Sequence, residues 1–148
     1  MKSNLIQIIS ILVIVFSVSS CKVEPKEINY GKDHCHFCDM TVVDKTHAAE
    51  YVTKKGKAYM FDAIECMVRD LDRNSDESDM AFLLVTDYGN PGELVAAQNA
   101  TFLISEKIKS PMGANLTAFG SLEVAQTTHE DLGGELYNWE QLKIQFAK

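Results

Sequence analysis

The sequence predicts an α+β fold built from two small strand-strand-helix-strand units. Three observations carry that expectation. Short β-branched and aromatic runs are separated by Gly, Lys and Asp turns, apolar residues at Ile64, Met67, Val68 and Leu71 recur at helical spacing, and the same order of elements begins again after the turn Tyr88-Gly89-Asn90-Pro91-Gly92. The units are expected over about residues 33–87 and 88–148, as a degenerate internal repeat with no alignable copy in the sequence.

In the first unit, a sulfur-rich loop leads into the strand-like run Thr41-Val42-Val43. Ala48–Thr53 and Lys57–Phe61 read as a hairpin around Lys54-Lys55-Gly56. Asp62 has the chemistry of a helix N-cap, and the helix should stop at the polar stretch Arg73-Asn74-Ser75-Asp76, ahead of a buried strand over Ala81–Thr86. In the second unit, strands are expected at Glu93–Ala97 and Ala100–Ser105, then a tight turn at Ser110-Pro111-Met112-Gly113. A helix is expected over Leu116–Thr128 despite Gly120, then a break at Gly133-Gly134. Asn138 should cap a last helix carrying Trp139, Leu142 and Phe146.

Ahead of these units the chain carries an export leader. Lys2 is followed by the uncharged apolar run from Leu5 to Phe16, which is the charged and hydrophobic part of a signal peptide over residues 1–20. Val18-Ser19-Ser20-Cys21 looks like the lipobox of bacterial lipoproteins, with Cys21 as the lipid anchor. A plain cleaved signal or an uncleaved anchor are the other readings, and each of them also puts the folded part outside the cytoplasm. Residues 21–32, polar and interrupted by Pro25, are expected to tether the anchor to a domain over residues 33–148.

The charge balance narrows the classes of partner. Fourteen basic against 21 acidic residues give a net charge of −7. No basic stripe and no interleaving of basic with aromatic residues is present, which argues against nucleic acid and against an electrostatic grip on a membrane. With Cys21 given to lipid, Cys35, Cys38 and Cys66 remain, and an odd number of thiols in an oxidising compartment leaves one that no internal disulfide uses.

The candidate site is Asp33-His34-Cys35-His36-Phe37-Cys38-Asp39-Met40. Thiolate, thioether and imidazole donors lie within one turn of backbone, and soft sulfur donors favour monovalent copper over calcium, magnesium or manganese. In extended backbone Cys38 and Met40 would point to one side with Asp39 opposite. His34 and His36 either complete the site or stand in solvent beside it. Redox chemistry is a competing reading of Cys35 and Cys38, weakened because a strand-like run follows where a helix N-terminus is usual. A zinc knuckle is another, needing Cys66 and a histidine as further ligands. Cys66 lies well round its helix from Ile64 and Val68 and is expected to face the second unit or solvent, while Met67 is core. Met112, fixed in a turn between Pro111 and Gly113, is a core residue or a ligand.

Four ordered landmarks are Cys35-His36-Phe37-Cys38-Asp39-Met40, Phe61-Asp62-Ala63-Ile64-Glu65-Cys66-Met67, Ser110-Pro111-Met112-Gly113 with Ala118-Phe119, and Gly133-Gly134 before Trp139. In these the chain resembles the NosL family of nitrous oxide reductase accessory lipoproteins. The resemblance implies a copper(I) chaperone, held by lipid at a membrane and facing the periplasm. It would work with the maturation machinery of nitrous oxide reductase, including an ABC-type transporter complex, and would not be an enzyme. It implies Cys38, Met40 and Met112 as metal ligands and two strand-strand-helix-strand units; from the local donors, Cys35 or a histidine is the expected extra ligand. Where the family commonly has glycine between the cysteine and the methionine, this chain has Asp39. Two rivals stand beside this reading: a thiol-dependent enzyme, either a disulfide oxidoreductase or an organomercurial-lyase-like protein, using Cys35, Cys38 or Cys66, and a structural zinc domain.

Overall fold

A computed structural model describes residues 22–147, so the expected signal peptide and the expected lipid anchor Cys21 lie outside the described residues. Seven strands form one mixed sheet in the order β2-β1-β3-β6-β5-β7, with β4 also paired to β3. The first half runs β1 (Ala49–Thr53), β2 (Ala58–Phe61), α1 (Ile64–Arg73) and β3 (Met80–Asp87). The second half runs β4 (Asn90–Ala96), β5 (Thr101–Ile104), β6 (Leu116–Phe119), α2 (Leu122–Leu132), β7 (Glu135–Tyr137) and α3 (Trp139–Phe146). Pairings are antiparallel except for a parallel contact of β3 with β6 at Asp87↔Ala118, which joins the halves.

Strand alternation sorts the core into two faces. Tyr51, Val85, Phe102 and Ala118 pack with Ile64, Met67 and Val68 of α1 and with Trp139 and Leu142 of α3. Their neighbours Leu103 and Phe119 point the other way, onto Ala125 of α2 and Ile108. On that side of the first half, Ile28, Val42 and Ala48 form a small cluster, and the Lys26 amide donates to Glu50 Oε1 at 2.8 Å. The segment expected as a tether is therefore docked on the sheet from Lys26 onward.

Several local expectations are corrected. Leu116–Phe119 is a strand, where a helix was expected, because all four side chains are buried and a short apolar run carries no period that separates strand from helix. The helix starts after Gly120, where Ser121 accepts from the Val124 amide. Thr41 makes only an isolated bridge to His34, and no strand continues over Val42-Val43. Ala63, not Asp62, is the N-cap of α1, and no side chain caps it. β7 is an additional short strand after the Gly133-Gly134 break, where a Cβ on Gly134 would sit 2.1 Å from the Ile104 carbonyl oxygen. Asn138 caps α3 in a full capping box with Gln141.

Candidate metal site

The sulfur-rich loop is a tight reversal. The Cys35 amide donates to the Met40 carbonyl at 2.8 Å, and the Asp39 amide donates back to the Cys35 carbonyl at 2.9 Å. Closing the turn puts Asp39 in the left-handed region at φ 63°. Asparagine and aspartate tolerate that region better than most residues, but glycine occupies it without a Cβ penalty. The extended geometry expected from Cys38 to Met40 is thereby corrected, since a left-handed residue between them breaks the alternation that would align their side chains.

The loop is fixed to the sheet by the His36 amide, which donates to the Met60 carbonyl on β2 at 2.8 Å. β2 then runs through Asp62 directly into the first turn of α1, which carries Cys66. One ligand atom each from Cys35, Cys38, Asp62 and Cys66 lies within 4.8 Å of all the others. Cys66 is fully buried in the main core and does not face solvent. Cys35 and Asp62 are each 2% exposed, and Cys38 is half-buried, so the cluster opens on the Cys38 side.

The hydrogen bonds and charges inside this cluster are uneven. The Cys38 thiol donates to Asp62 Oδ1 at 3.3 Å, and Asp62 Oδ2 is buried with no hydrogen-bond partner. A hydrogen bond from Cys66 stabilises the Cys35 thiolate and holds that thiol down at about 7, although burial opposes it. The same bond, together with burial, pushes the Cys66 thiol far above its ordinary value. Burial chiefly pushes Cys38 up to about 11. All three thiols are free. At neutral pH, then, Cys35 is the sulfur poised as an anion, with Cys66 as its proton-bearing neighbour.

The sequence-predicted residues are distributed unevenly around the cluster. Cys35 and Cys38 are in it. Met40 is 51% exposed at the rim, and half-buried Met112 packs against the core cluster that holds Cys35 and Cys66, alongside Phe37 and Cys38. His34 is exposed with Nδ1 3.1 Å from the Asp39 carbonyl, and His36 is exposed with its ring 4.3 Å from that of Tyr59. Neither histidine belongs to the four-residue group. Asp62 was read only as a helix cap, and Cys66 entered the sequence reading only as a ligand of the zinc alternative or a thiol of the enzyme one. Two signals pointed toward them: the odd thiol count, and the short path from a hairpin strand into a helix.

Three thiols offer soft donors, with one hard carboxylate beside them, in a largely buried cluster suited to a thiophilic ion. Among the described residues, no helix is long and apolar enough to cross a membrane. The model of one protein family, described as NosL, matches residues 25–147. Comparison with curated protein sequences gives no match. Among solved structures, the fold is similar to the crystal structure of the copper chaperone NosL from Shewanella denitrificans, with a TM-score of 0.70 and 20% identity over 81% of this chain and 96% of that one. At that identity the likeness speaks to the fold.

Proposed function

The chain belongs to the NosL family, and from that premise we propose that it carries copper(I) for assembly of the copper centres of nitrous oxide reductase. The observation that carries the reading is the meeting of Cys35, Cys38 and Cys66 within 4.8 Å of one another, from two separate segments. Copper(I) needs only two or three soft ligands, and Cys35 with Cys38 supplies two of them. Cys66 supports Cys35 by hydrogen bonding and is positioned to become a third. Asp62, a hard oxygen donor, orients the Cys38 thiol and is a poor match for copper(I). Met40 at the rim and Met112 beside Phe37 are thioethers, uncharged and weaker than thiolates. They fit a path by which copper arrives and leaves, and half-buried Cys38 is the thiol that a receiving protein's ligands reach first.

This is carriage without catalysis: the ion is cargo, and exchange of one sulfur ligand for another moves it. The wider setting follows the family. Cys21 would hold the domain by lipid to a membrane, facing the periplasm, and an ABC-type transporter complex in the same maturation machinery would be its partner. We also read the two halves as a degenerate duplication. The support is the sheet, in which the strands of each half occur in the order second-first-third once β4 is set aside. The helices α1 and α2 lie on opposite faces, so the likeness is one of strand order.

A competition titration against a chromophoric copper(I) chelator tests the assignment. One copper(I) per chain is expected, with Cys38→Ala weakening binding sharply. X-ray absorption on the loaded domain should count mostly sulfur neighbours. Unchanged affinity in the variant, or a nitrogen-rich shell, would overturn the reading.

One observation favours a second reading. Three cysteines and an aspartate converging within 4.8 Å are also a four-ligand set that tetrahedral zinc accepts. A structural zinc site makes the domain unfold on chelation, whereas a copper carrier stripped of its cargo keeps its secondary structure.

A further inference from the structure

The chain has only two arginines, and both stand at one groove beside the thiol cluster. Arg69 and Arg73 lie one turn apart on α1, so they share a helix face. Together with Phe37, Met112, Gln145 and Phe146 they line a groove of about 430 Å³ between α1, the turn after Ser110 and the end of α3. The groove adjoins the metal site, because Phe37 immediately precedes Cys38 and Met112 packs against the same core cluster.

Both guanidiniums are oriented by aromatic rings, and Arg69 also attracts the buried Glu65 carboxyl. Arg69 sits over the Phe146 ring and Arg73 over the Phe37 ring, each with its Cζ 5.7 Å from the ring centroid. Among the described residues neither forms an ion pair. Among the described residues none lining the groove is acidic, although the chain as a whole has 21 acidic residues against 14 basic ones. The carboxyl one turn before Arg69, that of Glu65, is buried and already accepts from Ser110 and Ala114. A chain with net charge −7 repels an acidic protein over most of its surface, so two arginines at one spot with no acidic lining favour its approach there.

From this we infer that the groove is the docking surface for an acidic segment of the protein that receives the copper, its carboxylates pairing with Arg69 and Arg73 beside Cys38. Guanidinium forks take carboxylates in a bidentate, planar geometry, and stacking on an aromatic ring reduces the freedom each fork must give up. Arginine beside aromatic residues is also the composition of interface hot spots. The inference rests on copper carriage for its purpose, but docking is measurable without metal.

Two synthetic peptides serve as probes, one with a Met- and Cys-containing core flanked by aspartates and one with the same core flanked by asparagines. Binding to the metal-free chain is read by fluorescence anisotropy at ~20 mM and ~300 mM salt, with backbone NMR shifts to locate it. The aspartate peptide is expected to bind about tenfold more tightly at low salt, with the advantage mostly lost at high salt. Shifts should centre on α1, residues 110–114 and α3. The double variant Arg69→Gln/Arg73→Gln should erase the advantage while leaving copper(I) affinity in chelator competition unchanged. Arg73→Gln alone, at an exposed position, repeats the test with a native circular dichroism spectrum as control. No advantage for the aspartate peptide, shifts elsewhere, or an advantage that survives in the variants overturns the proposal. So does a variant that keeps peptide binding but loses binding to phosphatidylglycerol vesicles, which would make the face a lipid contact. A wild-type chain that docks the peptide but takes up no copper(I) sinks the carriage reading and leaves the dock standing.

Discussion

Glu65 Oε1 accepts a hydrogen bond from Ser110 Oγ at 3.1 Å and another from the Ala114 amide at 3.2 Å, tying helix α1 to both ends of the turn that presents Met112. Ser110 Oγ in turn accepts from the Asn115 amide at 2.9 Å, so one carboxyl organises the whole turn. Glu65 is fully buried and its other oxygen, Oε2, has no partner. Glu65→Ala leaves a cavity and two donors without an acceptor. The expected cost is about 3 kcal/mol by chemical denaturation, with faster hydrogen exchange at Ala114. Glu65→Gln keeps an acceptor oxygen at nearly the same volume and should recover most of that stability. Equal losses in both variants would mean that the carboxylate charge, and not the shared acceptor, holds the turn.

Cys66→Ala tests whether the buried thiol takes part in metal binding or only fills space. Removing it takes away the donor that holds Cys35 down, so the Cys35 thiol should move up toward its ordinary value, visible as loss of the thiolate absorbance at neutral pH. Copper(I) affinity should fall by about tenfold or more at neutral pH and partly recover at higher pH, where Cys35 ionises without help. Cys66→Ser, which retains a hydrogen-bond donor, should sit between the two. An affinity indifferent to Cys66 would limit the site to the Cys35-His36-Phe37-Cys38 loop.

The backbone at Asp39 makes a prediction that separates shape from charge. With φ at 63° the residue pays a modest steric penalty that glycine does not. Asp39→Gly should be within about 1 kcal/mol of the natural chain, because relief of strain is offset by the greater freedom of glycine when unfolded. Asp39→Val should lose about 1–2 kcal/mol, since a β-branched side chain resists the left-handed region. Asp39→Asn keeps the shape without the charge, so a change in copper(I) affinity shared by all three variants assigns the effect to electrostatics, and one confined to Asp39→Val assigns it to the backbone. Thermal unfolding and chelator competition on the three variants give the answer.

Much of the frame was legible because local chemistry and tertiary packing agreed there. Asn138 capped its helix, Ile64, Met67 and Val68 formed the buried stripe of α1, and the β1–β2 hairpin turned where its glycine predicted. Leu116–Phe119 was not legible, since a strand buried on both faces has no alternation to read and Gly120-Ser121 marked the helix start only in hindsight. Cys35 and Cys38 announced themselves by spacing. Cys66 did not, because a helical projection places a side chain relative to its own helix and says nothing of the loop that comes to lie over the helix's first turn. Asp62 was misread for a related reason: its position before a helix suggested a cap, whereas its carboxylate is claimed by Cys38, 24 residues away in sequence.

Glu50 gives the clearest pH dependence away from the thiols. It lies on β1 with no exposed surface, its Oε1 accepts from the Lys26 amide, and its Oε2 is buried without a partner. Burial pushes its carboxyl above the ordinary glutamate value, and the Lys26 amide only partly offsets this. In the unfolded chain the group ionises at the ordinary value, so between the two values the folded state binds more protons than the unfolded state. Stability is therefore fully present below the unfolded value and is lost as pH rises through the raised folded one. Glu50→Gln removes the proton from this balance while leaving an acceptor for Lys26. Urea denaturation should show the variant more stable than the natural chain at about pH 8, by roughly 1 kcal/mol or more, with the difference shrinking at about pH 5. A variant destabilised equally at both pH values would mean that Glu50 stays ionised in the folded protein and that its second oxygen is hydrated.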